Sequence, residues 1–187
     1  MHHLYALHFF VLACCLGVPR SQAQSNDPVG PLVPSVATHS VLVAAPGGSP
    51  AVQSPFKALT LERVAANGHK ESGIVDVVFT AGNQSAQTAS LVFSIDTAVS
   101  RAADDLDSLY PISQLRLGST RKDSSDINAY VVILRPDQSL HCGLYLHNVP
   151  LTARYIRKVI LFTKLSLDSA PQGEDNIIFA NLPITWK

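Results

Sequence analysis

From residue 56 onward the chain is a succession of short runs rich in Val, Ile, Phe and Tyr, each soon stopped by Gly, Pro, Asn or Asp. β-Branched and aromatic side chains lose rotamer freedom in a helix and pack well on a pleated surface, so such runs favour strands. Residues 88–96 (TASLVFSID) alternate: Ala89, Leu91, Phe93 and Ile95 fall on one side, Ser90, Ser94 and Asp96 on the other. A period of two sets one face on a core and the other towards water. Residues 74–80 (IVDVVFT), 112–117, 127–134 (INAYVVIL), 140–149, 155–167 (YIRKVILFTKLSL) and 176–186 (NIIFANLPITW) continue the series. Residues 56–66 lead into Asn67-Gly68, a dipeptide that tolerates the positive φ of a tight hairpin turn. A helix competes only over 155–167, where Ile156, Val159, Ile160 and Thr163 tip the balance to strand. The pattern lapses between 97 and 110, read as a long acidic loop with one helical turn near Ala102, and again at the polar turn 121–126. The sum is an all-β chain of about seven to nine strands, expected to form an antiparallel two-sheet β-sandwich of jelly-roll type over residues 56–187.

Length and charge narrow the function classes. A chain of 187 residues holds one domain and a tail. Its 14 Lys+Arg balance 14 Asp+Glu, without the basic excess by which proteins engage nucleic acid or anionic bilayers, so no nucleic-acid partner is expected. With 47% hydrophobic and 15% charged residues, the composition argues against wholesale disorder.

Residues 4–18 (LYALHFFVLACCLGV) form an apolar run that suits the core of a secretory signal and falls short of the ~20 residues that span a bilayer. Small residues follow in Ser21-Gln22-Ala23-Gln24, so residues 1–24 are expected to be a signal peptide. His2 and His3 stand where Lys or Arg is usual, and a buried N-terminal helix is the competing reading. Val11-Leu12-Ala13-Cys14 resembles a bacterial lipobox, which would place a lipid on Cys14. The expected location is secreted, extracellular or at the cell surface, with no transmembrane span. Residues 25–55 carry Pro28, Pro31, Pro34, Pro46, Pro50 and Pro55, a density that stops helices and thins sheet ladders. They read as a proline-rich linker, with residues 40–45 (SVLVAA) as a short edge strand within it. Once the signal is removed, Cys142 is the one remaining thiol, and its apolar setting predicts burial rather than reactivity.

No motif of nucleophilic, phosphate-binding or zinc chemistry is present. His141 and His147 would share a strand face about 20 Å apart, too far for one metal. Asp104, Asp105 and Asp107 are the candidate calcium ligands, three carboxylates in one loop, with Asp123 and Asp126 able to join if the next turn approaches. No other cofactor is expected. Asn83-Gln84-Ser85 is an N-glycosylation sequon, usable in a host that modifies such sites. Tyr110, Tyr130, Tyr145, Tyr155 and Trp186 are candidates for stacking on sugar rings, with core packing the commoner role.

Several of these segments also resemble a known family. Val75-Asp76-Val77-Val78-Phe79, Gly82-Asn83, Phe93-Ser94-Ile95-Asp96 and Asp104-Asp105-Leu106-Asp107 before Pro111 are similar to the opening strands and Asp-rich loop of cohesin-type domains. Asp126-Ile127-Asn128-Ala129-Tyr130-Val131-Val132-Ile133 resembles their next core strand, so the likeness covers about residues 74–135. It implies a jelly-roll related to carbohydrate-binding modules, holding a dockerin-like protein or a polysaccharide outside the cell. The expected function is therefore a secreted, non-catalytic binding or adhesion module. The alternatives are a small extracellular glycoside hydrolase using two of Asp96, Asp104, Asp105, Asp107 and Asp126, which would have to flank a cleft, and a structural envelope component.

Overall fold

The computed structural model describes residues 48–123 and 129–187. The expected signal peptide, Cys14, residues 40–45, Asp126 and most of the proline-rich stretch lie outside them. The described residues contain no helix, hence none long and apolar enough to cross a membrane. The described residues form twelve strands: β1 (Ala51–Gln53), β2 (Leu59–His69), β3 (Ile74–Asn83), β4 (Ala89–Ser94), β5 (Arg101–Asp104), β6 (Leu109–Tyr110), β7 (Gln114–Leu117), β8 (Thr120–Asp123), β9 (Ala129–Leu134), β10 (Ser139–Leu146), β11 (Tyr155–Leu167) and β12 (Ala170–Trp186).

The all-β expectation holds, while the strand count and the uniform antiparallel pairing are corrected. All twelve strands join one hydrogen-bonded network, along the path β6-β5-β11-β12-β2-β3-β10-β7-β8. β4 adds to β11 and carries β9, and β1 adds to β12. β12 is the joint. Its first part runs antiparallel to β11, through pairs such as Val159↔Phe179 and Ile156↔Leu182. Beyond Asn181, which adopts φ 53, and Pro183, which has no N–H to give, the strand leaves β11. Ile184–Trp186 then run parallel to Ala66–Gly68 of β2.

This junction explains why Asn67-Gly68 is no turn. β2 continues through both residues, and the reversal comes after it, at Gly73 with φ 61, whose N–H donates to the His69 carbonyl at 2.9 Å. Gly68 is small because Trp186 lies against it: a Cβ there would sit 2.3 Å from the indole. The Trp186 indole N–H donates to the Ala153 carbonyl at 3.0 Å, fixing the ring at the seam.

The core follows from the alternation. On β4, Ala89, Leu91 and Phe93 are buried, and on β9, Tyr130, Val132 and Leu134. β11 slips register opposite β5 between Ile156 and Lys158, and its burial pattern breaks strict alternation there. Phe79 of β3 meets Phe93 of β4 edge-on, with centroids 6.4 Å apart, and Phe179 of β12 at 5.0 Å. These rings link the β2–β3 limb of the network to the β4–β11 limb. The expected loop of residues 97–110 is also corrected. Ala102 and Ala103 pair with β11 as strand β5, with Ala102 buried and not in a helical turn. Ala51–Gln53, within the proline-rich stretch, pair with β12 as β1.

Phe79→Ala should lower the unfolding free energy by about 3–5 kcal/mol in urea titrations, because it removes both ring contacts and leaves a cavity. Leu151→Ala, at a residue 56% exposed, should change it by less than about 0.5 kcal/mol.

Candidate functional site

A concavity lies on the face of β2, β3, β10 and β7 that points away from the core. With Val75, Val77, Phe79 and Ala81 of β3 turned inward, Asp76, Val78, Thr80 and Gly82 must face the other way. Register sets their neighbours: Thr80 stands between Glu62 of β2 and His141 of β10, and Gly143 of β10 stands between Val78 and Arg116 of β7. The β2 ladder slips between Glu62 and Ala65, and Arg63 within this bulge adopts φ 53. Left-handed backbone at a residue carrying Cβ costs on the order of 1–3 kcal/mol, and a bulge re-aims the side chains it holds.

Arg63, Thr80 and His141 line two adjoining hollows. One, of about 260 Å³, is completed chiefly by Thr60, Glu62, Asp137 and Gln138. The other, of about 530 Å³, adds Val78, Arg116 and Gly118. His141 Nδ1 and Thr80 Oγ1 form a hydrogen bond of 2.9 Å, which leaves Nε2 as the ring's second polar atom. Two glycines provide the closeness. A Cβ at position 82 would lie 2.7 Å from Thr60 Oγ1, and one at 143 would lie 2.8 Å from Asp76 Oδ1. The Arg116–Asp76 ion pair, 3.6 Å between Nη2 and Oδ2, accordingly sits over Gly143. Arg116 Nε is buried and has no hydrogen-bond partner among the described residues. The result is a face on which cationic donors, a hydroxyl, an imidazole and carboxylates stand beside the apolar Val78 and Phe79.

The residues nominated from sequence lie elsewhere. Asp104 is fully buried: Oδ1 accepts the N–H groups of Leu106 and Ser108, each at 2.9 Å, and Oδ2 accepts the Tyr110 hydroxyl at 2.7 Å. Burial and that hydrogen bond push the Tyr110 phenol up to about 12. Asp105 Oδ1 accepts the Arg154 N–H, and Asp107 pairs with Arg157. The three carboxylates are thus engaged separately, and no group of three or more His, Cys, Asp or Glu side chains is placed to hold a metal among the described residues. Asn83 is 2% exposed, and its amide donates to the carbonyls of Gln87 and Leu134, so the folded chain offers no free Nδ2. Of the aromatic candidates, Tyr110, Tyr130 and Tyr145 are buried, the commoner role, and Trp186 packs against Gly68.

Cys142 is buried as expected, and desolvation pushes its thiol up to about 12. Sequence reasoning identified none of Glu62, Arg63, Thr80 or Arg116 as site residues. They come from separate strands with no common motif, and only the even separation of paired strand positions could have hinted at the rows.

No family model and no curated protein matches the chain. Among solved structures it is similar to the CooA pilin subunit of enterotoxigenic Escherichia coli (11% identity, 70% of this chain and 97% of that one, TM-score 0.35). It is also similar to a GH20 exo-β-N-acetylglucosaminidase of Vibrio harveyi (11% identity, 70% and 18%, TM-score 0.34). A third is the periplasmic chaperone SfaE (6% identity, 69% and 56%, TM-score 0.30). The chain spans 18% of the length of the glucosaminidase. Scores at this level assign neither family nor activity.

Two outcomes follow from these placements. Because folding raises the Cys142 pKa from 9.0 to about 12, the folded state holds that proton more tightly. The resulting stability is complete below about pH 9 and is lost as pH climbs towards 12. At mildly alkaline pH a disulfide-exchange reagent should label Cys142 only as denaturant unfolds the chain; rapid native-state labelling would contradict its burial. Asp104→Ala should cost about 3 kcal/mol in urea melts, since it orphans the Tyr110 hydroxyl and two backbone donors.

Proposed function

We propose that this protein is a secreted, non-catalytic binding module, a cohesin-like two-layer β-sandwich carried beyond a proline-rich tether, which engages a polysaccharide across the β2–β3–β10–β7 face. The observation that carries this reading is the corner shared by Arg63, Thr80 and His141, where a strained bulge directs an arginine beside a hydrogen-bonded hydroxyl and imidazole.

A polymer of sugars presents alternating hydroxyl donors and acceptors, and the groove answers with Thr60, Glu62, Arg63, Gln138 and His141. A protein partner of dockerin type would call for an apolar centre with a polar rim. The smaller hollow is lined by polar side chains, Thr60, Glu62, Arg63, Asp137 and Gln138 among them, which favours the glycan. Hydrolysis would need two carboxylates facing one bond across a cleft. Of the carboxylates nominated for it, Asp104 is sealed in its own turn, Asp96 and Asp105 are tied to backbone N–H groups, Asp107 to Arg157, and Asp126 lies outside the described residues, while the groove's own carboxylates are Glu62 and Asp137. Binding without turnover is the simpler use of such a face, with no metal required.

A glycan array probed with the chain should give a defined set of ligands. Arg63→Ala or His141→Ala should weaken binding about 10- to 100-fold, the worth of one charge-assisted hydrogen bond, with the circular-dichroism spectrum unchanged. No ligand on a broad array, or full affinity in both variants, would overturn the assignment of this face.

A further inference from the structure

The two hollows that share Arg63, Thr80 and His141 differ in charge. The smaller is lined by two carboxylates, Glu62 and Asp137, against the single guanidinium of Arg63. The larger, of about 530 Å³, has two guanidiniums, Arg63 and Arg116, and no carboxylate in its lining. Neither arginine is fully engaged. Arg63 is exposed, sits on the left-handed bulge and takes no part in the ion pairs of the described residues, which are Arg116–Asp76, Arg157–Asp107 and Lys164–Glu174. Arg116 reaches Asp76 at 3.6 Å, longer than a hydrogen bond, and its Nε has no hydrogen-bond partner among the described residues. Asp76 offsets part of the Arg116 charge, and Arg63 supplies a charge with no such counterpart.

We propose that the larger hollow binds the carboxylate of an acidic sugar, and that the ligand of this face is a polysaccharide whose uronate units are separated by neutral ones. The inference rests on the reading of this face as a glycan site and names the class of glycan. A guanidinium presents its N–H groups as a planar fork that matches a carboxylate, and Arg63 and Arg116 offer two such forks to one hollow. An anion also selects the tautomer in which His141 Nδ1 accepts from the Thr80 hydroxyl and Nε2 carries the proton, which adds a third donor. Half-buried Val78 gives the same hollow an apolar contact for the C–H face of a sugar ring. In the smaller hollow the demand is reversed. Glu62 and Asp137 accept hydroxyl protons there and repel a second carboxylate, so a neutral unit belongs beside the acidic one. The same repulsion disfavours a chain charged at every unit, nucleic acid included.

Calorimetric titration of the full chain compares three oligosaccharides of equal length. One alternates glucuronate with N-acetylglucosamine, the second is that oligomer with its carboxyl groups reduced to alcohols, and the third is an oligogalacturonate, acidic at every unit. The alternating oligomer should bind at least about 10-fold more tightly than its reduced form, the worth of one charge-assisted hydrogen bond, and more tightly than the oligogalacturonate. Arg63→Gln and Arg116→Gln should each bring the ratio of acidic to reduced affinity close to one. The control Arg101→Gln, at an exposed arginine of β5, should leave that ratio unchanged. Arg63 is exposed, so its variant should keep the circular-dichroism spectrum of the wild type and decides the matter should Arg116→Gln not fold. Equal affinity for the acidic and reduced oligomers overturns the inference and leaves the polysaccharide reading standing, as does a glycan-array ligand when none of the three oligomers binds. No binding to any glycan removes both. Oligogalacturonate bound as tightly as the alternating oligomer, or a ratio unmoved in both variants, also overturns the inference.

Discussion

The fold depends on one strand belonging to two neighbourhoods. β12 is held antiparallel by β11 over most of its length and parallel by β2 over its last three residues. Nothing else in the hydrogen-bonded path joins the β5–β11 limb to the β2–β3–β10 limb. The change of partner is written in residue chemistry: Asn181 accepts a left-handed conformation, Pro183 withholds a donor, and Trp186 finds a floor without a side chain at Gly68. The aromatic contact of Phe79 with Phe93 and Phe179 then closes the limbs over a shared apolar interior. Backbone connectivity supplies the hinge, and ring packing the closure.

The groove inherits its geometry from that arrangement. β2 pairs with β3 along one edge, and the bulge at Arg63 lies between the Glu62↔Thr80 and Ala65↔Val78 pairs, while the end of β12 holds Ala66–Gly68 just beyond it. Strain of this kind persists only where its surroundings over-determine it. The inward row Val75, Val77, Phe79 and Ala81 buries β3 and simultaneously presents Asp76, Val78, Thr80 and Gly82 outward. One alternation serves both the core and the face assigned to ligand.

Local periodicity made much of this legible. β4 (Ala89–Ser94) falls within the alternating residues 88–96, β11 forms over 155–167 where β-branched content placed it, and Cys142 is buried as its apolar neighbours implied. Where a tertiary contact decided, local chemistry misled. Asn67-Gly68 has turn composition, yet Gly68 answers to an indole more than a hundred residues away. Ala102 joins a strand because β11 offers it a buried edge, and Asp104 is acidic in sequence but spent on its own turn. Asn83 reads as a surface sequon and is instead the internal brace between Gln87 and Leu134. The candidate site was the least visible part, since Arg63, Thr80, Arg116 and His141 come from four strands and meet only through register.

The most direct measurement uses the single tryptophan of the chain as a reporter of the seam. With the indole seated on Gly68 and bonded to the Ala153 carbonyl, Gly68→Ala forces the ring out, so its fluorescence emission should shift to the red and the urea midpoint should fall. Unchanged emission and midpoint in that variant would mean that β12 does not dock on β2, and the joined fold described above would be wrong.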